Sequence, residues 1–289
     1  MVLDFINGKQ CFIWDDGRIE IFREIEVNLK AALMTAGIDA MVTRSLDYKN
    51  SIYFILNPHH KTFNKRHASN IYIGWDLTNS DRLDNFERMF RDKDLDIIIE
   101  DTPEKLSILK RVGAAKGFAC LEPTTGFYDV KPNNVVKDKI GFIGGVAGSP
   151  MRIQILDRMK AKYGDRFIVI DKYGSEKISE LRRCKYLIGI QRFDYYFQIP
   201  NHLRISLCLS LNTIPIFVKN REEHNYAVMV DEDDPDKIVA SIYGEISALD
   251  SNIEEFDSKL NTIKSNYVDV GTFQNNLYKV LEEIDDLLA

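Results

Sequence analysis

The sequence predicts an α/β protein made of two Rossmann-like domains with parallel sheets and a cleft between them. Short runs of β-branched and aromatic residues alternate with stretches of helical periodicity, which is the pattern of serial βα units. The alternation is interrupted once, by a segment at 122–138 rich in Pro, Thr and Asn, and then restarts. The 289 residues, 45% of them hydrophobic, are enough to form two cores.

The interruption divides the chain into three expected parts. Residues 1–135 form the N-terminal domain, and residues 136–270 form the second domain. Residues 271–289 form a C-terminal helix that we expect to pack back on the N-terminal domain.

The first part contains six short segments with the composition of buried strands. A helix is predicted at 20–36, where Ile21, Ile25, Leu29 and Leu33 repeat at helical spacing before Gly37. A second helix is predicted at 102–111, and Thr102 is its expected N-cap. The predicted strands lie at 10–14, 40–43, 51–56, 70–74, 96–100 and 119–121.

The second part repeats the alternation and ends in a helical tail. Its strands are continuous apolar runs, which indicate parallel strands covered on both faces. They are predicted at 140–143, 167–170, 186–190 and 213–218. Helices are predicted at 151–163, 175–183, 201–211, 235–249, 253–266 and 271–288.

The cysteines and the hydropathy pattern indicate a cytoplasmic protein. Cys11, Cys120, Cys184 and Cys208 are far apart in sequence, and three of them lie in apolar segments, which favours buried free thiols over disulfides or zinc ligands. No apolar run approaches the ~20 residues that span a bilayer. The first residues are acidic where a signal peptide is basic.

The charges are unevenly distributed along the chain. Residues 136–220 carry 15 basic and 7 acidic side chains, a net of +8, whereas residues 1–135 carry −2 and residues 221–289 carry −12. The basic middle block suits an anionic ligand. The alternative is that its lysines and arginines lie on solvated helix faces, and this is our interpretation of Lys160, Lys162 and Lys177.

A glycine-rich loop after the predicted strand 140–143 is the first candidate anion site. Gly144 and Gly145 let the backbone approach a phosphate, and Ser149 precedes Pro150 at a helix start, where backbone N–H groups attract anions. Arg152 follows within the first turn and is able to grip a diphosphate through two hydrogen bonds. The alternative is a loop that merely turns the strand into the helix.

The segment after strand 186–190 is the second candidate. Asn201 is a predicted N-cap, and His202 and Arg204 lie in the first turn, where cations are unfavourable unless an anion binds. Arg192 lies earlier in the same loop. Alternatively, His202 is a surface histidine and Arg204 pairs with an acid such as Asp194. Tyr173, after strand 167–170, is positioned to stack on a nucleotide base, an argument from position only.

Candidate acids and bases follow three strands of the first part. Asp15 follows strand 10–14, His59 and His60 follow strand 51–56, and Asp76 follows strand 70–74. Each is able to take a proton from an acceptor hydroxyl. The alternatives are a plain turn at 15–17 and solvated histidines. The sequence contains no metal-ligand motif of the HExxH type and no G-x-S-x-G nucleophile motif.

Residues 138–220 resemble the nucleotide-binding domain of GT-B glycosyltransferases, in particular of the spore-coat-maturation type. The similar motifs are IGFIGG followed by SPMR, then FIVIDKYG, then RISLCLSLNTIPIFV. The resemblance implies a sugar-nucleotide diphosphate at the N-terminus of the helix after the second loop, with Arg152 in the place of a recurrent arginine. Many retaining members carry two glutamates eight residues apart near that helix, and none occurs between Gln191 and Arg221. The choice between inversion and retention therefore stays open.

The resemblance implies a glycosyltransferase, with residues 1–135 on the acceptor side and residues 136–270 binding the donor. We expect a UDP-sugar as the donor, no required metal or other cofactor, no membrane span, and a carbohydrate, a small molecule or a DNA base as the acceptor. One alternative is a non-catalytic nucleotide-sugar-binding module. Another is a transferase that acts on a modified DNA base, suggested by the basic segment 59–67, although the overall acidity argues against a broad DNA footprint.

Overall fold

The computed structural model describes residues 3–14, 23–56, 67–75, 94–100, 102–112, 115–121, 135–146, 149–190, 202–218, 225–268 and 273–289. The chain folds into two compact α/β units. One unit comprises Met1–Pro123 with Thr272–Ala289, and the other comprises Thr124–Gly271. Each unit contains one parallel sheet, which confirms the predicted fold class.

The first unit is built on a six-stranded sheet whose spatial order is β2-β1-β3-β4-β5-β6. All five pairings are parallel, and the register is continuous across the centre, where Ile13 of β1 lies opposite Phe54 of β3. Every residue of β3 and of β5 is buried, as the unbroken apolar runs predict. The strands are β1 (Gln10–Trp14), β2 (Ala40–Thr43), β3 (Ser51–Leu56), β4 (Ile71–Trp75), β5 (Leu95–Glu100) and β6 (Ala115–Cys120).

The second unit is built on a five-stranded parallel sheet of order β11-β10-β9-β7-β8. Four of its strands were predicted, whereas β11 was not, because three residues are too few to show a periodicity. The strands are β7 (Lys139–Ile143), β8 (Phe167–Ile170), β9 (Cys184–Ile190), β10 (Ile214–Val218) and β11 (Val228–Val230).

Within the described ranges, helices connect β1 to β2, β5 to β6, β7 to β8, β8 to β9 and β9 to β10, as parallel pairing requires. In the first unit, Thr102 caps its helix as predicted, because its Oγ1 accepts a hydrogen bond from the backbone N–H of Lys105 at 3.4 Å. The helices are α1 (Arg23–Thr35), α2 (Pro103–Val112), α3 (Pro150–Tyr163), α4 (Gly174–Arg182), α5 (His202–Ser210), α6 (Pro235–Ser251), α7 (Ile253–Val268) and α8 (Phe273–Leu288). No helix within the described ranges is long and apolar enough to cross a bilayer.

Helix α8 is counted with the first unit, although it follows the second unit in sequence. The Asp285 carboxylate of α8 accepts hydrogen bonds from the backbone N–H groups of Asp4 and Phe5, at 3.1 and 2.7 Å. Leu287 lies beside Gly117 of β6, where a Cβ would come within 3.3 Å of its side chain. The N-terminal turn and the sheet therefore both contact the final helix.

Strand β6 begins at Ala115, four residues before the predicted start. Its first residues, Ala115, Lys116 and Gly117, lack the β-branched side chains that indicate a strand. Pairing with β5 nevertheless extends them, because Leu95 lies opposite Ala115 and Ile97 lies opposite Gly117. The tertiary partner overrides the weak local preference at this edge of the sheet.

Burial confirms the expectation for the thiols and corrects one for the lysines. Cys11, Cys184 and Cys208 are buried free cysteines, and burial raises the pKa of Cys11 and that of Cys184 to about 12. Lys160 and Lys162 are exposed, as predicted. The prediction that Lys177 is solvated is wrong: only 8% of this residue is exposed, because it lies one turn before Leu181 on the buried face of α4.

Lys137 anchors the segment that precedes β7. Its ammonium group donates to the carbonyl oxygens of Cys184 (3.1 Å), Leu211 (2.5 Å) and Asn212 (3.3 Å), and to the Thr213 hydroxyl (2.9 Å). Two of these carbonyls belong to the turn directly after α5, where helix carbonyls lack partners within the helix and attract a cation. Lys137 thereby joins the C-terminal end of α5 to the start of β9.

Asp250, near the end of α6, is the centre of a polar cluster under the second sheet. It accepts hydrogen bonds from Lys185 (2.9 Å), from the Tyr186 hydroxyl (2.8 Å) and from Arg166. Partial burial raises the pKa of Asp250, but these hydrogen bonds outweigh the burial and hold the pKa below its ordinary value.

We expect Asp250→Asn to lower the free energy of unfolding at neutral pH by about 2 kcal/mol, the scale of lost hydrogen bonds to a charged group. Folding lowers the pKa of Asp250. The contribution of Asp250 to stability is therefore fully present above the pKa that this residue has in the unfolded chain, and it disappears as the pH falls through its pKa in the folded protein. Urea unfolding at several pH values measures this, and the difference between wild type and variant should shrink on acidification below pH ~4. Asp165→Asn, at an exposed position, is the control. A difference that is independent of pH would contradict the assignment.

Candidate functional site

The carboxyl ends of β7 and β9 form the topological switch point of the second sheet. β7 lies between β8 and β9, so the chain leaves β7 towards one edge of the sheet and leaves β9 towards the other. Loops that diverge in this way leave a crevice at the carboxyl ends of the two strands, which is where open α/β sheets bind ligands. Gly144 and Gly145 directly follow β7, and residues 191–201 follow β9.

Gly144 and Arg204 lie together at this switch point. The sequence predicted them as site residues from two separate loops. Arg204 lies in the first turn of α5 and is partly buried. Its guanidinium Nη2 atom lies 3.1 Å from the position that a Cβ on Gly144 would occupy. Gly144 has φ +136°, a conformation that L side chains rarely adopt. The missing side chain therefore makes room for the arginine.

Arg152 lies at the same point but faces the protein backbone. It is 7% exposed, and its Nη1 donates to the carbonyl of Gly145 at 2.5 Å while its Nη2 donates to the carbonyl of Ile190 at 2.6 Å. Its Cζ atom lies 5.7 Å from the centre of the Phe142 ring. Direct contact of Arg152 with a diphosphate stays a prediction, and these contacts point to a supporting role.

Ser149 and Tyr173 occupy the neighbouring loops. Ser149 is 4% exposed and immediately precedes Pro150, so it starts α3 where the glycine loop ends. Tyr173 immediately precedes α4 in the loop after β8, and 52% of it is exposed. Because β8 pairs with β7, this loop opens at the same edge of the sheet as the glycine loop. An exposed aromatic ring there is available to a planar ligand.

The described residues include only part of the predicted site. Arg192 and Asn201 lie outside them, and of His202 only its place as the first residue of α5 is described. All four candidate acids and bases also lie outside the described residues: Asp15, His59, His60 and Asp76.

The strand order of the first sheet nevertheless shows which strands these four residues follow in the chain. The order β2-β1-β3 makes the carboxyl ends of β1 and β3 the switch point of that sheet. Asp15 is the residue directly after β1, and His59 and His60 come three and four residues after β3. Asp76 directly follows β4, the next strand beyond β3.

Beneath Arg204, α5 is apolar. Cys208 is buried one turn further along, and burial raises the pKa of its thiol well above the ordinary value, so the thiol stays neutral at physiological pH. Among the residues the structure describes, no three His, Cys, Asp or Glu side chains group as a metal site would.

Sequence reasoning missed two contributors to this site, the Ile190 carbonyl and the Phe142 ring. Both belong to strands that read as ordinary buried runs. A backbone carbonyl leaves no signal in the sequence, so its contact with Arg152 is visible only in the folded chain.

No protein-family model and no curated protein matches this chain. Solved structures do match. A mutant of S. aureus TarM in complex with Fondaparinux, alpha-GlcNAc-glycerol and UDP has a TM-score of 0.58 at 11% identity, and the match covers 82% of this chain and 55% of that chain. This chain thus spans about half the length of TarM. The α,α-trehalose-phosphate synthase (UDP-forming) from Burkholderia vietnamiensis has a TM-score of 0.51 at 10% identity, covering 91% of this chain and 78% of that one.

The corresponding synthase from Burkholderia multivorans has a TM-score of 0.52 at 9% identity, and the match covers 92% of this chain and 77% of the synthase chain. Identities this low show a shared fold and nothing finer. The chain shares with these structures a fold of two α/β units, each with one parallel sheet.

We expect Gly144→Ala to lower the free energy of unfolding by about 1–3 kcal/mol, the cost of a strained backbone position. Its Cβ would also push against the Arg204 guanidinium. Gly145→Ala is a matched control, because a Cβ there meets no described heavy atom within 4 Å, and its effect should stay within about 0.5 kcal/mol. Urea unfolding of both variants measures the difference, and equal effects would contradict the proposed packing of Arg204 on Gly144.

Proposed function

We propose that this protein is a glycosyltransferase that moves a sugar from a nucleotide-sugar donor to an acceptor hydroxyl or base. The observation that carries the proposal is the Arg204 guanidinium over Gly144 at the switch point of the second sheet. A cation in the first turn of a helix is repelled by the helix dipole, so this position is favourable when an anion binds beside it. The donor diphosphate is the anion that we assign to it.

The chemistry of glycosyl transfer requires positive charge at this point. As the bond between the anomeric carbon and the diphosphate oxygen breaks, the leaving nucleotide accumulates negative charge. Arg204 and the backbone N–H groups at the start of α5 stabilise that charge, and Gly144 permits close approach. In this proposal the protein's own cations and dipoles stabilise the leaving group, and no metal is required.

We propose UDP as the nucleotide and Tyr173 as the ring that stacks on its base. Two observations support this: Tyr173 is exposed at the correct edge of the sheet, and TarM, the structure of similar fold described above, was solved with UDP. Arg192, Asn201, His202 and Ser149 complete the proposed donor site. Arg152 supports that site from beneath.

The acceptor side of the proposal belongs to the first unit. One of Asp15, His59, His60 and Asp76 acts as the general base, because each follows a strand at the carboxyl edge of the first sheet. It would take the proton as the acceptor attacks the anomeric carbon. The acceptor is a carbohydrate, a small molecule or a DNA base. Assignment to the spore-coat-maturation type stays a prediction from the resemblance.

We expect Arg204→Ala to weaken UDP binding about 10- to 100-fold, because hydrogen bonds to charged groups contribute about 1.5–3 kcal/mol. Isothermal titration calorimetry with UDP measures this. Arg183→Ala is the control, since Arg183 is an exposed arginine at the amino end of β9, away from the site. Equal UDP affinity of wild type and Arg204→Ala would contradict the donor assignment.

We expect that substituting the general base will slow transfer strongly and leave UDP binding intact. Asp15→Asn, His59→Gln, His60→Gln and Asp76→Asn are each assayed for UDP release from UDP-sugars with a panel of acceptors. The correct one should lower kcat about 10²- to 10⁴-fold, the usual contribution of general-base catalysis. UDP-sugar binding without any turnover by the wild type would favour the non-catalytic binding module instead. Salt-sensitive DNA binding would favour a DNA base as the acceptor.

A further inference from the structure

The ends of β7 and β9 extend beyond the hydrogen bonds that join the two strands. Their last paired residues are Phe142 and Ile188, whereas Gly145 and Ile190 lie three and two residues further on. At that distance the parallel ladder no longer fixes the separation of the two chains. The Arg152 guanidinium spans the gap, with one Nη atom on each carbonyl.

The bridge needs an arginine in particular. The guanidinium is planar and presents donors in a fixed fork, whereas the lysine ammonium is a single point that cannot keep the same two separated contacts. The Phe142 ring lies against the group, with Cζ 5.7 Å from the ring centre, within the range of a cation–π contact. Burying a charged group is costly, so at 7% exposure its hydrogen bonds must offset the lost hydration.

We propose that Arg152 is a positioning residue for the donor site, one that sets the spacing between the glycine loop and the end of β9. It does this through Gly145 and Ile190, while Arg204 contacts the diphosphate directly. This inference rests on the proposed function for its ligand. The bridge between the two loop ends exists without any ligand.

The position of Arg152 in the chain supports this role. It lies in the first turn of α3, two residues after Pro150, so it also links the helix that follows the glycine loop to the strand on the far side of the switch point. One side chain therefore connects α3, the glycine loop and the end of β9. Loss of the bridge should loosen the loop ends before it affects the core.

The test uses Arg152→Lys, which keeps the positive charge and the aliphatic stem so that the variant remains folded. Arg158→Ala, on the same helix and paired with exposed Asp236, is the control. Amide hydrogen exchange of the ligand-free protein is followed at residues 143–146 and 188–190, and UDP affinity is measured by calorimetry. We expect at least about tenfold faster exchange at these amides alone, and at least about tenfold weaker UDP binding, from loss of a bidentate contact.

The combined readouts separate the possible roles of Arg152. Faster local exchange with unchanged UDP affinity would overturn the proposal, because Arg152 would then be only structural. Weaker UDP binding with unchanged exchange would also overturn it, because Arg152 would then contact the ligand directly. If the wild type binds no nucleotide, the proposed function fails, and the exchange result still decides whether Arg152 holds the two loop ends together.

Discussion

The reversal of strand order inside each parallel sheet is the constraint on which the rest of the molecule depends. Parallel pairing forces every connection to cross over a face of the sheet, so all carboxyl ends lie at one edge. Reversal between β7 and β9 then separates two loops at that edge. Arg204 is distant in sequence from Gly144 and lies beside it in space for this reason.

Positive charge in the second unit is used in two physically different ways. Arg152 is nearly buried and makes its hydrogen bonds to backbone carbonyls, so it holds structure together. Arg204 lies in the first turn of a helix, over a glycine, and in our proposal the donor diphosphate relieves its repulsion from the helix dipole. Lys137 and the Asp250 cluster hold other parts of the same sheet, at the end of α5 and below β9.

The two ends of α5 are therefore fixed by opposite means. Lys137 binds the carbonyls that follow the helix, and its charge complements the negative end of the dipole. Arg204 lies near the positive end, where the helix dipole opposes its charge. Between them the helix buries Ile205, Leu207 and Cys208 against the sheet. A rigid, apolar middle section thus connects the segment before β7 to the proposed donor site.

The sequence by itself determined most of the strands and helices, because unbroken apolar runs and helical periodicity reflect burial directly. It also indicated Gly144 and Arg204 as parts of one site, since loops after parallel strands share an edge. It did not show β11, the early start of β6 or the burial of Lys177, which depend on partners distant in sequence. Nor did it show that Arg152 faces two carbonyls, because a backbone acceptor has no residue type, and only the folded chain brings Gly145 and Ile190 within reach of one guanidinium.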